Sequence, residues 1–161
     1  MKLLYILVIV LLFGCNFGEL PETSQGCKID RRGIPGLPSN SEHSKALDIL
    51  IYSGRKYFNE VQIRDTLKLI TIEWWNTIAT NPSTGQLNTV VIYDGYPYSG
   101  LTIGNLCKIA WRGKLFRSAF IHEILHVMGT RILGDPNPNH TNETLYNVEI
   151  EANKKLFEQN L

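Results

Sequence analysis

Apolar and polar residues change rhythm several times along the 161 residues of this chain. Leu3 to Phe13 is an unbroken apolar run, closed by Gly14-Cys15. It is too short for the roughly 20 residues that a bilayer-spanning helix needs, and has the length of the apolar core of an export signal. From Asn16 to about Ser44, Gly, Pro, Ser and polar residues follow one another with no sustained period, which predicts a tether. Between Ala46 and Tyr52, Leu47, Ile49 and Ile51 alternate with Asp48 and Tyr52, a strand pattern that Ser53-Gly54 ends.

Asn59 and Gln62 form an N-cap pair, and Ile63, Leu67, Ile70, Trp74 and Ile78 then recur at helical spacing until Asn81-Pro82. This predicts one long amphipathic helix, with Trp74 and Trp75 as packing residues. After the turn at Pro82–Gly85, the β-branched run Thr89 to Tyr93 predicts a buried strand, broken by Asp94-Gly95. A tyrosine-bearing loop, Gly95 to Gly100, leads to a second alternating stretch, Leu106 to Trp111. Arg112-Gly113 turns the chain into an apolar helix over Ser118 to Gly129, and Glu149 to Phe157 reads as a C-terminal helix covering the core. The order strand, helix, strand, strand, helix predicts an α+β fold: a small mixed sheet with a long backing helix.

Composition narrows the class. At 43% hydrophobic residues and this length, the chain is one globular domain's worth. A formal charge of +1 with Lys and Arg scattered gives no basic run, so no nucleic-acid partner is expected.

The histidine stretch carries the chemistry. His122 and His126, four residues apart, fall one turn above each other on one helix face, so both imidazoles can reach one metal ion. Glu123 sits on the shoulder of that face, where a carboxylate can take a proton from a water acidified by zinc. Ile121, Ile124, Leu125 and Met128 make an apolar stripe on the other side. A random chain of this composition would contain roughly 0.006 such patterns.

His122-Glu123-x-x-His126 resembles the HExxH motif of zincin metallopeptidases, over about twelve residues. The resemblance implies the zincin upper lobe, Zn2+ as cofactor, Glu123 as general base, and an extended peptide substrate paired with the strand nearest the cleft. Leu106 to Trp111 is the candidate for that strand. Gly129, at the His-x-x-Gly position, is metzincin-like. Metzincins place a third histidine six residues after the second, where this chain has Ile132, and their later methionine is missing, as Met1 and Met128 are the only two. His140, at the end of the turn-rich loop Gly134 to Asn139, is the favoured replacement, because it follows the metzincin-like Gly129 and the loop suits placement of a side chain. Glu149 is another, because Glu149-Ile150-Glu151-Ala152-Asn153 resembles the helix that supplies the third ligand in gluzincins. Asp135 is a third. Tyr146 is a candidate donor to an oxyanion, or a packing residue.

Leu12-Phe13-Gly14-Cys15 resembles the bacterial lipobox, with Phe13 where a small residue is usual. The resemblance implies lipidation of Cys15 and a membrane as partner through that anchor; simple secretion is the alternative. Cys27 and Cys107 then remain as an even pair in an oxidising compartment, so a disulfide between them is expected. It would close a loop of about 80 residues, worth about 4 kcal/mol. The expected organisation is a signal peptide (1–14), a tether (15–44) and a zincin-like domain (45–161). Two functions follow: a surface-anchored zinc metallopeptidase cutting peptides or proteins, or a zinc-binding structural lipoprotein that keeps the helix without chemistry.

Overall fold

The computed structural model describes residues 19–80, 85–137 and 140–161. The expected signal peptide and Cys15, the expected site of lipidation, lie outside the described residues. The architecture is α+β: helices packed on one face of a four-stranded mixed sheet, with a second, three-stranded sheet beside it.

The chain enters through β1 (Lys28–Asp30) and then forms α1 (Asn40–Gly54) and α2 (Glu60–Leu67). β2 (Thr71–Trp75) follows, and β3 (Thr77–Thr80), β4 (Leu87–Tyr93) and β5 (Tyr96–Tyr98) make an antiparallel sheet in that order. β6 (Gly100–Ile103) and β7 (Leu106–Ala110) are a hairpin of the larger sheet, whose order is β1-β2-β7-β6. β1, β2 and β7 are parallel and β6 antiparallel. After a 3-10 turn (Leu115–Arg117) come α3 (Phe120–Met128), one π turn (Gly129–Leu133) and α4 (Glu143–Glu158).

The sheet obeys the period of two. Ile29, Ile72, Trp74, Cys107 and Ile109 are fully buried beneath the helices, while Asp30, Glu73, Trp75 and Lys108 alternate onto the other face. Full burial of such a side chain contributes roughly 1.5–3 kcal/mol. Trp74 stacks on Phe120 and donates from Nε1 to His43 Nε2 at 3.1 Å, whose Nδ1 meets Ser39 O at 2.9 Å. Partly buried Trp75 lies under the Arg32 guanidinium, 4.3 Å from the ring centre.

Three expectations about elements are corrected. Residues 19–44 are not a plain tether: they supply β1, and Ser39 with Glu42 closes a capping box that starts α1. Ala46 to Tyr52 is helical: Ile49 and Ile51 are buried, but so are His43, Ala46, Leu47, Leu50, Ser53 and Gly54, which have the helical period once the window reaches back to that cap. The long helix from Asn59 to Ile78 stops at Leu67. Ile70, Trp74 and Ile78 are four apart, a spacing that is also even; Ile72 is buried with Ile70 and Trp74, and the β-branched and aromatic run makes a strand.

The expected disulfide is corrected as well. Cys27 and Cys107 are free, buried thiols. Lys28 pairs with Thr71 and Ile72 with Cys107, so β2 runs between the two cysteines. Two strand spacings, about 9–10 Å, exceed the roughly 7 Å between Cα atoms that a disulfide spans. Burial pushes the Cys27 thiol up to about 12 and Cys107 in the same direction.

Candidate metal centre

α3 buries Phe120, Ile121, Ile124, Leu125, Val127 and Met128, which leaves the His122 and His126 face turned from the core. The two rings approach edge to face, with centroids 4.8 Å apart and their Nε2 atoms at 3.2 Å. What lies behind each ring decides which nitrogen is free. His122 Nδ1 is 3.2 Å from both carboxylate oxygens of Glu149 on α4, and His126 Nδ1 is 2.8 Å from the carbonyl oxygen of Pro136. Pure acceptors behind both Nδ1 atoms assign the protons there, so the Nε2 lone pairs point at each other. Two lone pairs at that distance repel unless a proton or a metal cation shares them. Two nitrogens bound tetrahedrally at about 2.0–2.1 Å from zinc are roughly 3.3 Å apart.

The third imidazole arrives from a loop that the sequence builds around two turns. Gly129 sits where a Cβ would stand 2.5 Å from the Asp135 carbonyl oxygen and 2.9 Å from Leu145 Cδ1. Its missing side chain lets the chain fold back on α3, and Asp135 N–H donates to Gly129 O at 3.1 Å. Asp135 Oδ1 accepts from Asn137 N–H, its Oδ2 from Asn142 Nδ2, and Asn137 Oδ1 from Asn142 N–H. His140 N–H donates to Asn137 O at 3.1 Å, with φ of 55° in the left-handed region. The His140 ring then lies 4.8 Å from that of His122 and 5.2 Å from that of His126. One ligand atom from each of the three lies within 4.8 Å of the others, close enough to hold one metal ion.

Of the three candidates for a third ligand, His140 is therefore the one brought to His122 and His126. Glu149 also lines the cleft but meets His122 at Nδ1, and the Asp135 carboxylate accepts from Asn137 N–H and Asn142 Nδ2 within the loop. Leu125, Asn137, Leu145 and Tyr146 complete the cleft walls. Tyr146 is 57% exposed. The Glu149 hydrogen bond raises the His122 pKa against the opposing effect of burial. At His140, desolvation and then the neighbouring imidazoles lower it.

Glu123 is only 4% exposed, beneath β6. Thr102 Oγ1 lies 2.7 Å from Glu123 Oε2 and 3.0 Å from its backbone carbonyl oxygen. Burial raises the Glu123 pKa; the Thr102 hydrogen bond and the two imidazoles oppose it. Leu106 to Trp111, expected as the cleft strand, contributes β7, which is paired on both sides, so it has no edge to offer. Among the described residues, the outer strand of the larger sheet over α3 is β6. Gly100, Thr102 and the Pro136 carbonyl were not singled out by the sequence.

No family model, curated protein or solved structure matches this chain.

Proposed function

We propose that this protein is a surface-anchored zinc metallopeptidase of zincin type, with His122, His126 and His140 as the metal ligands and Glu123 as the general base. The observation that carries the reading is the pair of Nε2 atoms 3.2 Å apart, each with its Nδ1 committed to an acceptor behind it. A carboxylate or carbonyl behind a ligating histidine fixes its tautomer and orientation. Three neutral imidazoles are the donor set that catalytic zinc sites use, with a fourth position left for water. Bound zinc supplies a Lewis acid that brings the pKa of water to near neutrality and polarises a peptide carbonyl. Glu123 accepts the proton of the attacking water and passes it to the leaving amine, a task for which a pKa raised by burial suits it. The β6 edge holds an extended peptide by main-chain pairing. Glu149 keeps His122 oriented.

The anchor follows from the lipobox-like Cys15, four residues before Glu19. Four residues reach at most about 14 Å, so an acylated Cys15 holds the domain against the membrane. β1 stands three strand spacings, roughly 14 Å, across the sheet from β6. Cleavage therefore takes place on the side of the sheet away from the segment that leads to the anchor. Mass spectrometry of the mature N-terminus tests this: an unmodified Cys15 or an intact Met1 removes the anchor and leaves secretion.

A second reading, a zinc-binding lipoprotein without chemistry, is favoured by the near-complete burial of Glu123. Cleavage of unstructured protein separates the two. The peptidase reading predicts turnover that is abolished by chelator and by Glu123→Gln with zinc retained. Zinc-loaded protein that cuts nothing supports the second reading.

A further inference from the structure

Gly100 and Thr102 are two residues apart on β6 and so present the same face to α3. Each meets Glu123. A Cβ at position 100 would lie 2.5 Å from Glu123 Oε1, 2.7 Å from Cγ and 2.8 Å from Cδ, so the glutamate side chain fills the space a side chain at 100 would take. Thr102 Oγ1 is 2.7 Å from the other carboxylate oxygen, Oε2. The strand is held in register by β7, with Gly100 opposite Ile109 and Thr102 opposite Cys107, both fully buried. The seat is therefore part of the core sheet and not a mobile loop.

We infer that Gly100 and Thr102 are positioning residues that give the two oxygens of Glu123 different tasks: Thr102 anchors Oε2, and the missing side chain at Gly100 gives the carboxylate the room this placement needs, which leaves Oε1 as the oxygen to receive the proton. This rests on the peptidase reading above. A carboxylate able to rotate would present either oxygen, or neither, to the water; with Oε2 held, one orientation remains. In the step, an O–H bond of water breaks and its proton goes to Oε1; the electron pair left on the water oxygen forms the bond to the carbonyl carbon, and the π pair of the carbonyl moves onto its oxygen. β6 is also the strand whose outer edge faces the incoming peptide, so one strand sets both the substrate and the base.

Thr102→Val removes the hydroxyl while keeping the shape, and Thr102→Ser keeps the hydroxyl. With zinc-loaded full chain and fluorescein-labelled casein as the probe, Thr102→Val is expected to lower kcat by about 10- to 100-fold with KM little changed, and Thr102→Ser to recover most of it. Zinc content of both should equal that of the wild type. Wild-type kcat in Thr102→Val, or a loss that tracks loss of zinc, overturns the assignment. The placement of the carboxylate is tested without activity by a urea-unfolding cycle. Gly100→Ala should lower the midpoint in the wild type and have little effect in Glu123→Ala; equal shifts in both backgrounds overturn it. A zinc-loaded wild type that cleaves no casein overturns the peptidase reading and this role with it, whatever the cycle reports.

Discussion

Lowering the pH from 7.5 to 4 should destabilise this fold through His43, whose ring packs against Phe120 of α3. The side chain is fully buried on α1, with Ser39 O facing Nδ1 and the Trp74 indole N–H facing Nε2. Only the neutral ring with its proton on Nδ1 satisfies both neighbours, since a proton on Nε2 would confront a second donor. Burial pushes the His43 pKa down to about 4, against the raising effect of the Ser39 carbonyl; nearby Arg31 lowers it and Glu42 raises it. The unfolded chain binds this proton near pH 6.5 and the folded one near 4, so stability is fully present above 6.5 and falls between those limits. At about 1.4 kcal/mol per pH unit the loss comes to about 3 kcal/mol, a large share of the 5–15 kcal/mol typical of a domain. The assay is urea unfolding across this range, with chelator present so that metal loss plays no part. His43→Gln, whose amide can serve both neighbours without titrating, gives the baseline to subtract. A wild-type pH slope no steeper than that of His43→Gln would refute the reasoning.

Glu149→Gln should keep one zinc per chain at saturation but weaken its affinity by about 10- to 100-fold, measured against a competing chelator, because the carboxylate orients His122 from behind. Unchanged affinity would remove that role. Gly129→Ala should destabilise by up to about 2 kcal/mol in urea unfolding: overpacking against the Asp135 carbonyl costs about 1–3 kcal/mol, and the better helix propensity of Ala returns about 1. A stabilised variant would show that the fold-back can yield. Denatured, unreduced mature protein should expose two titratable thiols, Cys27 and Cys107, that are inert in the native fold; finding none would restore the disulfide.

The histidine helix was legible because its signal is local: spacing, apolar stripe and the shoulder glutamate all lie within one turn or two. The C-terminal helix and the strand at Thr89 to Tyr93 were legible for the same reason, although only Val90 and Val91 of that strand are buried and Ile92 and Tyr93 are exposed. Ile70, Trp74 and Ile78 misled because a step of four satisfies both a helix and a strand, and only Ile72 between them tells the two apart. The stretch Ala46 to Tyr52 misled because its capping box lies outside the alternating window. Candidates for the third ligand were legible as residue types, but their sorting was not, since it depends on the Gly129 fold-back and on which side of His122 each group approaches. Thr102 and Gly100 act across 21 and 23 positions of sequence, through the pairing of β6 with β7, and no local pattern encodes that contact.

The central claim is that three imidazoles, with His140 as the third, hold one zinc ion. Metal analysis of purified full-length chain and its His140→Ala variant tests it without a substrate. One zinc per wild-type chain, and nearly none in His140→Ala under the same dialysis, is the predicted result. Full occupancy in His140→Ala would contradict the account, and a zinc-free wild type after loading would contradict the metal centre itself.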